Sequence, residues 1–178
     1  AMKSPPPQAT APTSDTSTMR REASEKSYTV RQYRDEDLPF VSRLFFDTVH
    51  SVNAADYTYA QLSAWAPAPN CLDAKREAFL RQNTLVAESC GRIVGFGSAD
   101  GEYLDMLFTH KDHLHLGIAS AIADRLECGA RQMKVCASVT AKPFFERRGY
   151  KTIKEHTAER RGVSLTNYEM VLIRPSAT

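Results

Sequence analysis

Apolar and polar positions follow two periods that alternate along the chain. Residues 27–34, SYTVRQYR, repeat every two positions, with Tyr28, Val30 and Gln32 on one side and Thr29, Arg31 and Tyr33 on the other, which predicts a first strand. Asp35, Glu36 and Asp37 then supply N-cap and first-turn carboxylates to a helix ending near residue 51, whose apolar positions are Leu38, Val41, Leu44, Phe45 and Val49. A break at 53–56 precedes a short helix over 59–65, a loop with Pro67 and Pro69, and a further helix over 72–82. Residues 84–89 and 92–99 read as strands of a hairpin turning at Cys90-Gly91, and Asp100-Gly101 marks a second turn. The run Tyr103, Leu104, Met106, Leu107 and Phe108 predicts a central strand with core on both faces. After a His-rich loop, Ile118, Ile122 and Leu126 recur every four residues with Ala119, Ala121 and Ala123 between them. That spacing predicts an amphipathic helix from Gly117 to near Gly129. Residues 133–137 form a short strand, parallel to the central one because a helix intervenes. A short helix over 140–148 stops at Gly149, and strands 150–157 and 163–173 close the chain as a hairpin through Arg161-Gly162. The expected architecture is α/β (α+β): a mixed sheet with helices on both faces.

The junction between the central strand and the helix at Gly117 carries the first chemical suggestion. A strand that runs through a glycine-containing loop into a helix gathers backbone N–H groups at one point, and the helix dipole adds positive potential, so an anion such as phosphate suits it. A lone glycine there is more often only a turn residue. The dinucleotide fingerprint GxGxxG and the nucleotide-triphosphate loop GxxxxGKS/T are both absent.

Composition narrows the classes. The chain has 178 residues, 42% hydrophobic and 25% charged, enough for one domain with a real core. A net charge of +2 is too small to suggest a nucleic-acid or membrane surface by itself, and no apolar run reaches the roughly 18 residues of a membrane span. Cys71, Cys90, Cys128 and Cys136 have no CxxC spacing, which suits a reduced, cytoplasmic setting. Residues 1–27 are polar and proline-rich and read as a disordered or extended tail, with 28–178 as a single domain. His110, His113 and His115 lie close together, yet HxxHxH is not a usual tetrahedral spacing, so no metal is expected. Cys128 and Cys136 read as small core residues rather than acyl carriers.

Two segments, LDMLFTHKDHLHLGIASAIADRLE and SVTAKPFFERRGY, together with the closing RGVSLTNYEM, resemble the GCN5-related N-acetyltransferase superfamily, in particular small uncharacterised bacterial members. The likeness covers residues 28–174. The family loop has Gln or Arg, two residues, Gly, one residue, then Gly or Ala; here it is Leu114-His115-Leu116-Gly117-Ile118-Ala119. A later family pattern appears as Ala141, Phe144-Phe145-Glu146 and Gly149-Tyr150. The resemblance implies an acyl-CoA N-acyltransferase fold with about six to seven strands, acetyl-CoA as acyl-donor cosubstrate, and transfer to an amine of a small molecule or peptide by direct attack on the thioester. A homodimer is left open, and neither nucleic acid nor membrane is an expected partner.

The resemblance also implies roles. Leu107, Phe108 and Thr109 should meet the thioester and pantetheine through backbone groups freed by a strand bulge. His115, Leu116, Gly117, Ile118, Ala119 and Ser120 should hold the pyrophosphate, with Ser138, Phe144 and Phe145 further along the cofactor. Asp105, a carboxylate inside an apolar run, is the expected general base unless it serves only to bond a loop or pair with an arginine; Glu102 is the runner-up. Many relatives carry Tyr where this chain has Phe145, so the proton for the leaving thiolate needs another source: Tyr150 first, or Ser138, Thr140 or Tyr168. A thiol with a pKa near ~8.5 also leaves without help. Leu114 and Leu116 depart from the polar or basic residues usual in the loop, but phosphate recognition there rests mainly on backbone N–H groups. The acceptor should sit among His50, Asp56 and Tyr57, where a carboxylate beside aromatic rings suits an amine; Tyr59 and Trp65 also read as packing residues. The rival reading is a catalytically weak or inactive acyl-CoA-binding module.

Overall fold

A computed structural model describes residues 27–176, so the expectation of an N-terminal tail lies, but for Ser27, outside the described residues. Seven strands form one sheet: β1 (Thr29–Gln32), β2 (Asn83–Ser89), β3 (Arg92–Asp100), β4 (Tyr103–Thr109), β5 (Gln132–Ser138), β6 (Lys151–Arg160) and β7 (Val163–Ile173). Their spatial order is β1-β2-β3-β4-β5-β7-β6, antiparallel throughout except for the parallel pair β4–β5. Five helices connect them: α1 (Leu38–Ser51), α2 (Tyr59–Trp65), α3 (Arg76–Arg81), α4 (Ile118–Leu126) and α5 (Lys142–Arg147). The mixed α/β architecture and the parallel crossover are as the hydrophobic pattern predicts. No helix among the described residues is long and apolar enough to cross a membrane.

Each face of the sheet has its own core. On one, Ile118, Ile122 and Leu126 of α4 pack on Leu85, Ala87, Met133 and Val135; on the other, Val41, Leu44 and Phe45 of α1 pack on Val86, Phe96 and Met106. Consecutive β2 residues serve opposite faces, as the two-residue period requires. Gly95 and Gly97 let α4 lie close: a Cβ on Gly95 would stand 2.6 Å from Ile118 Cγ2, and one on Gly97 2.8 Å from Ile122 Cγ2.

Local differences from the predicted elements have identifiable causes. The first turn of the α1 segment is a 3-10 turn, Asp35–Asp37, because Asp37 turns inward: its carboxylate accepts from the Arg34 N–H at 2.8 Å and from Arg31 at 2.8 and 2.9 Å. The expected 72–82 helix divides into a 3-10 turn, Asp73–Lys75, and α3, with Lys75 at φ −92° and ψ 3° between them.

β4 departs most. Opposite β3, Ser98 pairs with Met106 and Ala99 with Leu104, so Asp105 is the extra residue of a bulge. The bulge resets the alternation, sending Leu104 and Leu107 to the α4 face and Met106 and Phe108 to the α1 face. Toward β5, the strand pairs only through Tyr103↔Lys134 and Leu104↔Val135. Beyond those pairs the two strands part, and Asp105, Leu107 and Phe108 are half-buried rather than enclosed on both sides.

Candidate active site

The parting of β4 and β5 opens a cleft of about 1090 Å³. Residues 103–109 of β4 form one wall and residues 135–138 of β5 the other. The first turn of α4 and Phe144 close one end, while Tyr57, Trp65 and Lys75 line the other side together with residues 156–160 and 165–167 of the β6–β7 hairpin. Residues 105–109 have no ladder partner on the β5 side, so backbone polar groups facing that side are available to whatever fills the cleft, except the Thr109 carbonyl, which accepts from Thr48 Oγ1 at 3.1 Å.

The α4 end suits an anion. Gly117 is the N-cap in the left-handed region, φ 80°, and His115 is left-handed too, φ 62°. Alternating left-handed residues before a helix make a concave row of N–H groups, and α4 adds its dipole. His115, Gly117, Ile118, Ala119 and Ser120 line the cleft, whereas Leu116 is exposed and does not. Two side-chain atoms of the neighbouring wall are buried without a hydrogen-bond partner, Thr109 Oγ1 and His113 Nδ1. Unpaired buried polar atoms beside a cleft mark places where a ligand or water completes the hydrogen bonding. A partly apolar cleft between two parted strands, with a helix N-terminus at one end, suits a pantetheine-linked nucleotide such as acetyl-CoA.

At the other end stands Asp105. Its carboxylate Oδ2 accepts from Lys75 Nζ at 2.8 Å, both side chains lining the cleft. The partner expected by one reading of the sequence, an arginine, is therefore a lysine. No spacing could have selected Lys75; the only signal was that a carboxylate in an apolar strand calls for a cation. Also lining the cleft, Tyr57 donates its hydroxyl to the Thr166 carbonyl at 2.7 Å and accepts from the Val139 N–H at 2.9 Å. Burial pushes the Tyr57 phenol above its ordinary pKa. Trp65 packs edge-on against Phe45, Tyr57 and Phe108, as its packing reading expects, and it also lines the cleft.

Ser138, Phe144 and Phe145 line the cleft, and Ser138 Oγ accepts from the Ala141 N–H at 3.1 Å. Thr140 also lines it and donates to Asp56 Oδ2 at 2.8 Å, which brings Asp56 to the rim. Four expected residues lie elsewhere. Tyr150 is buried among the core residues under α4, its hydroxyl donated to Glu127 Oε1 at 2.8 Å, so it does not reach the cleft as an acid. Glu102 is exposed in the β3–β4 turn and borders a separate depression with Gly101, Gly129 and Arg131. His50 donates Nε2–H to the Ala66 carbonyl at 2.7 Å and packs its ring on Phe46, away from the lining. Tyr168 lies under the Lys142 ammonium, 5.0 Å from its ring centroid, and is not part of the lining. The His110 and His113 rings meet edge-on at 5.6 Å, and no group of three or more metal-ligating side chains occurs among the described residues. The sequence reading missed Lys75, and it missed His156 and Arg160, contributed by the far hairpin.

A mixed seven-stranded sheet parted between two parallel central strands, with a helix N-terminus at the mouth, defines the acyl-CoA N-acyltransferase class. Residues 53–172 match the family model described as the acetyltransferase (GNAT) domain, and the chain belongs to that family of N-acetyltransferases. The uncharacterized N-acetyltransferase YafP of Escherichia coli is 35% identical over 143 residues, 79% of this chain and 93% of that protein. A GCN5-related N-acetyltransferase from Rhodopseudomonas palustris superposes with a TM-score of 0.76 at 32% identity, covering 82% of this chain and 95% of that one. The PaiA N-acetyltransferase of Thermoplasma acidophilum, solved in complex with coenzyme A, shares the fold at a TM-score of 0.66 and 14% identity over 83% of this chain and 99% of that one.

Proposed function

We propose that the protein transfers an acetyl group from acetyl-CoA to an amine of a small molecule or peptide, by direct attack of the amine on the thioester. The observation that carries this reading is the bulge at Asp105, which puts a carboxylate at the point where β4 leaves β5, on the strand whose next residues run on toward the α4 N-terminus. In it, the backbone of Leu107, Phe108 and Thr109 holds the pantetheine arm and polarises the thioester carbonyl. The loop from His115 through Ser120 holds the pyrophosphate, with Leu116 contributing backbone only. Asp105 takes the proton released by the amine, directly or through water. Phe145 has no proton to give, so the thiolate leaves either unaided or by taking a proton from Ser138 or Thr140. Tyr57, Trp65 and Asp56 border the acceptor, a mixture of rings and carboxylate that suits a cationic amine before it loses its proton.

Thiol release from acetyl-CoA measured against a panel of amines, with CoA binding followed by calorimetry, tests the proposal. Amine-dependent release supports it. CoA binding with no release for any amine in a broad panel would leave a CoA-binding module instead, the reading favoured by Phe145.

A further inference from the structure

The amine nearest the candidate base belongs to the protein itself. Lys75 Nζ is 2.8 Å from Asp105 Oδ2, and the lysine side chain is 34% exposed, buried enough to be directed and open enough to meet a bound thioester. Of the lysines among the described residues, Lys75 alone lines the cleft. Lys142 is turned to Glu146 at 2.6 Å and Lys154 to Glu169 at 3.5 Å. An amine held by Asp105 stands where an acceptor amine must stand if that carboxylate is to receive its proton.

We infer that Lys75 is a self-acetylation site, its ε-amine accepting the acetyl group when no external acceptor is present. This rests on the acetyltransferase reading of the same cleft. Lys75 is tethered beside the base by the turn Asp73–Lys75, so its attack needs no second encounter. A proton passes from the Nζ ammonium to Asp105, and the freed lone pair attacks the thioester carbonyl carbon. The N–C bond forms, the C–S bond breaks, and the sulfur leaves as thiolate and is protonated to the thiol. Lysine ammonium and acetyl thioester thus become N-acetyl-lysine, thiol and one proton delivered to solvent. The acetylated side chain is uncharged, so Asp105 loses its counter-ion and the acceptor end of the cleft becomes more acidic in character. An acceptor amine that binds Asp105 displaces Lys75 and suppresses the modification.

The full chain incubated with acetyl-CoA and no amine, followed by site-resolved mass spectrometry over time, tests this. Lys75 is expected to gain an acetyl group at least about tenfold faster than the exposed Lys111 and Lys151. Gly117→Glu, which blocks the anion cradle, should erase that advantage, and added acceptor amine should slow it. Lys75→Arg, which keeps the charge opposite Asp105, should show no fast site while retaining its circular dichroism spectrum. Modification of Lys75 no faster than Lys111 and Lys151, in protein that binds CoA and releases thiol with an amine, overturns the inference and leaves the acetyltransferase reading standing. Absence of both CoA binding and amine-dependent release overturns both.

Discussion

Tyr150 donates its hydroxyl to the Glu127 carboxylate at 2.8 Å, and that contact decides what both residues do. Glu127 is 1% exposed. Besides Tyr150 it receives Arg148 on both oxygens, at 3.2 and 2.7 Å, and Arg174 at 3.1 Å. A buried carboxylate is tolerable only with such company. The cluster ties the end of α4 to α5 and to the chain after β7, fixing the helix whose N-terminus faces the cleft. Tyr150 is thereby a structural residue, and the general-acid role considered for it has no geometry to support it.

Glu127→Ala should destabilise the fold by about 3–5 kcal/mol, because it leaves the largely buried Arg148 without its main partner. Tyr150→Phe should cost only about 1 kcal/mol and leave acetyl transfer unchanged. Urea midpoints at constant slope measure both. A large loss of turnover in a folded Tyr150→Phe protein would return the phenol to the mechanism.

The same contact sets a pH dependence. Burial first, and then the hydrogen bond to Glu127, hold the Tyr150 phenol well above its ordinary range. Its folded pKa is raised, so the native state keeps a proton that the unfolded chain releases near pH ~10. The stabilisation is complete below about pH 10 and is lost as the pH rises beyond it. Tyr150→Phe should make stability fall less steeply across that alkaline range, measured by denaturant titrations at successive pH values. Part of the slope should persist, since burial also raises Tyr33 and Tyr57.

Asp105→Asn keeps the shape of the bulge residue and removes its capacity to take a proton. Turnover should fall by about a hundredfold or more, with its pH dependence flattened and CoA affinity in calorimetry unchanged. Wild-type kinetics in this variant would reduce Asp105 to the counter-ion of Lys75.

How far the sequence revealed this arrangement depended on the range of the interaction. The order of strands and helices, and the parallel step between β4 and β5, followed from local periodicity and from one intervening helix. The glycine-led start of α4 was legible because Gly117 and the α4 pattern are adjacent in sequence. The Lys75–Asp105 pair spans 30 residues and the Tyr150–Glu127 contact 23; the apolar run marks Asp105 as a carboxylate in need of a cation, but no local pattern names Lys75 or Glu127 as the partner. Glu127 in particular reads as an exposed helix-end carboxylate until three elements close over it. The bulge was expected only through family resemblance; its place at Asp105 is a matter of register, which alternation alone does not fix. Gly95 and Gly97 look like strand-weakening residues in the sequence, yet the packing of α4 requires them.

Those two glycines separate stability from cofactor binding. Gly95→Ala and Gly97→Ala both force a methyl group against α4, at 2.6 Å from Ile118 and 2.8 Å from Ile122, and each should destabilise by about 1–3 kcal/mol. Ile118 is the first residue of the helix, whereas Ile122 is at its middle. Displacement at Ile118 moves the N–H groups of the anion cradle, so Gly95→Ala should weaken CoA binding more than Gly97→Ala does. Equal weakening in calorimetry would mean that α4 shifts as a rigid unit, carrying its first-turn N–H groups equally far whichever glycine is changed.

Thr109 offers a change whose effects on the free and bound protein have opposite signs. Its carbonyl is held by Thr48 Oγ1 at 3.1 Å, while its own Oγ1 is buried and unpaired beside the cleft. Replacing that hydroxyl with a methyl group of similar volume removes an unsatisfied polar atom, so Thr109→Val should leave the free protein as stable or slightly more stable. If the hydroxyl exists to meet the pantetheine arm, the same change should weaken CoA binding by about 1 kcal/mol, roughly fivefold. Thermal unfolding without ligand and calorimetric titration with CoA measure the two halves separately. Unchanged CoA affinity in Thr109→Val would place the pantetheine arm away from this side chain and leave His113 Nδ1 as the unpaired group of that wall.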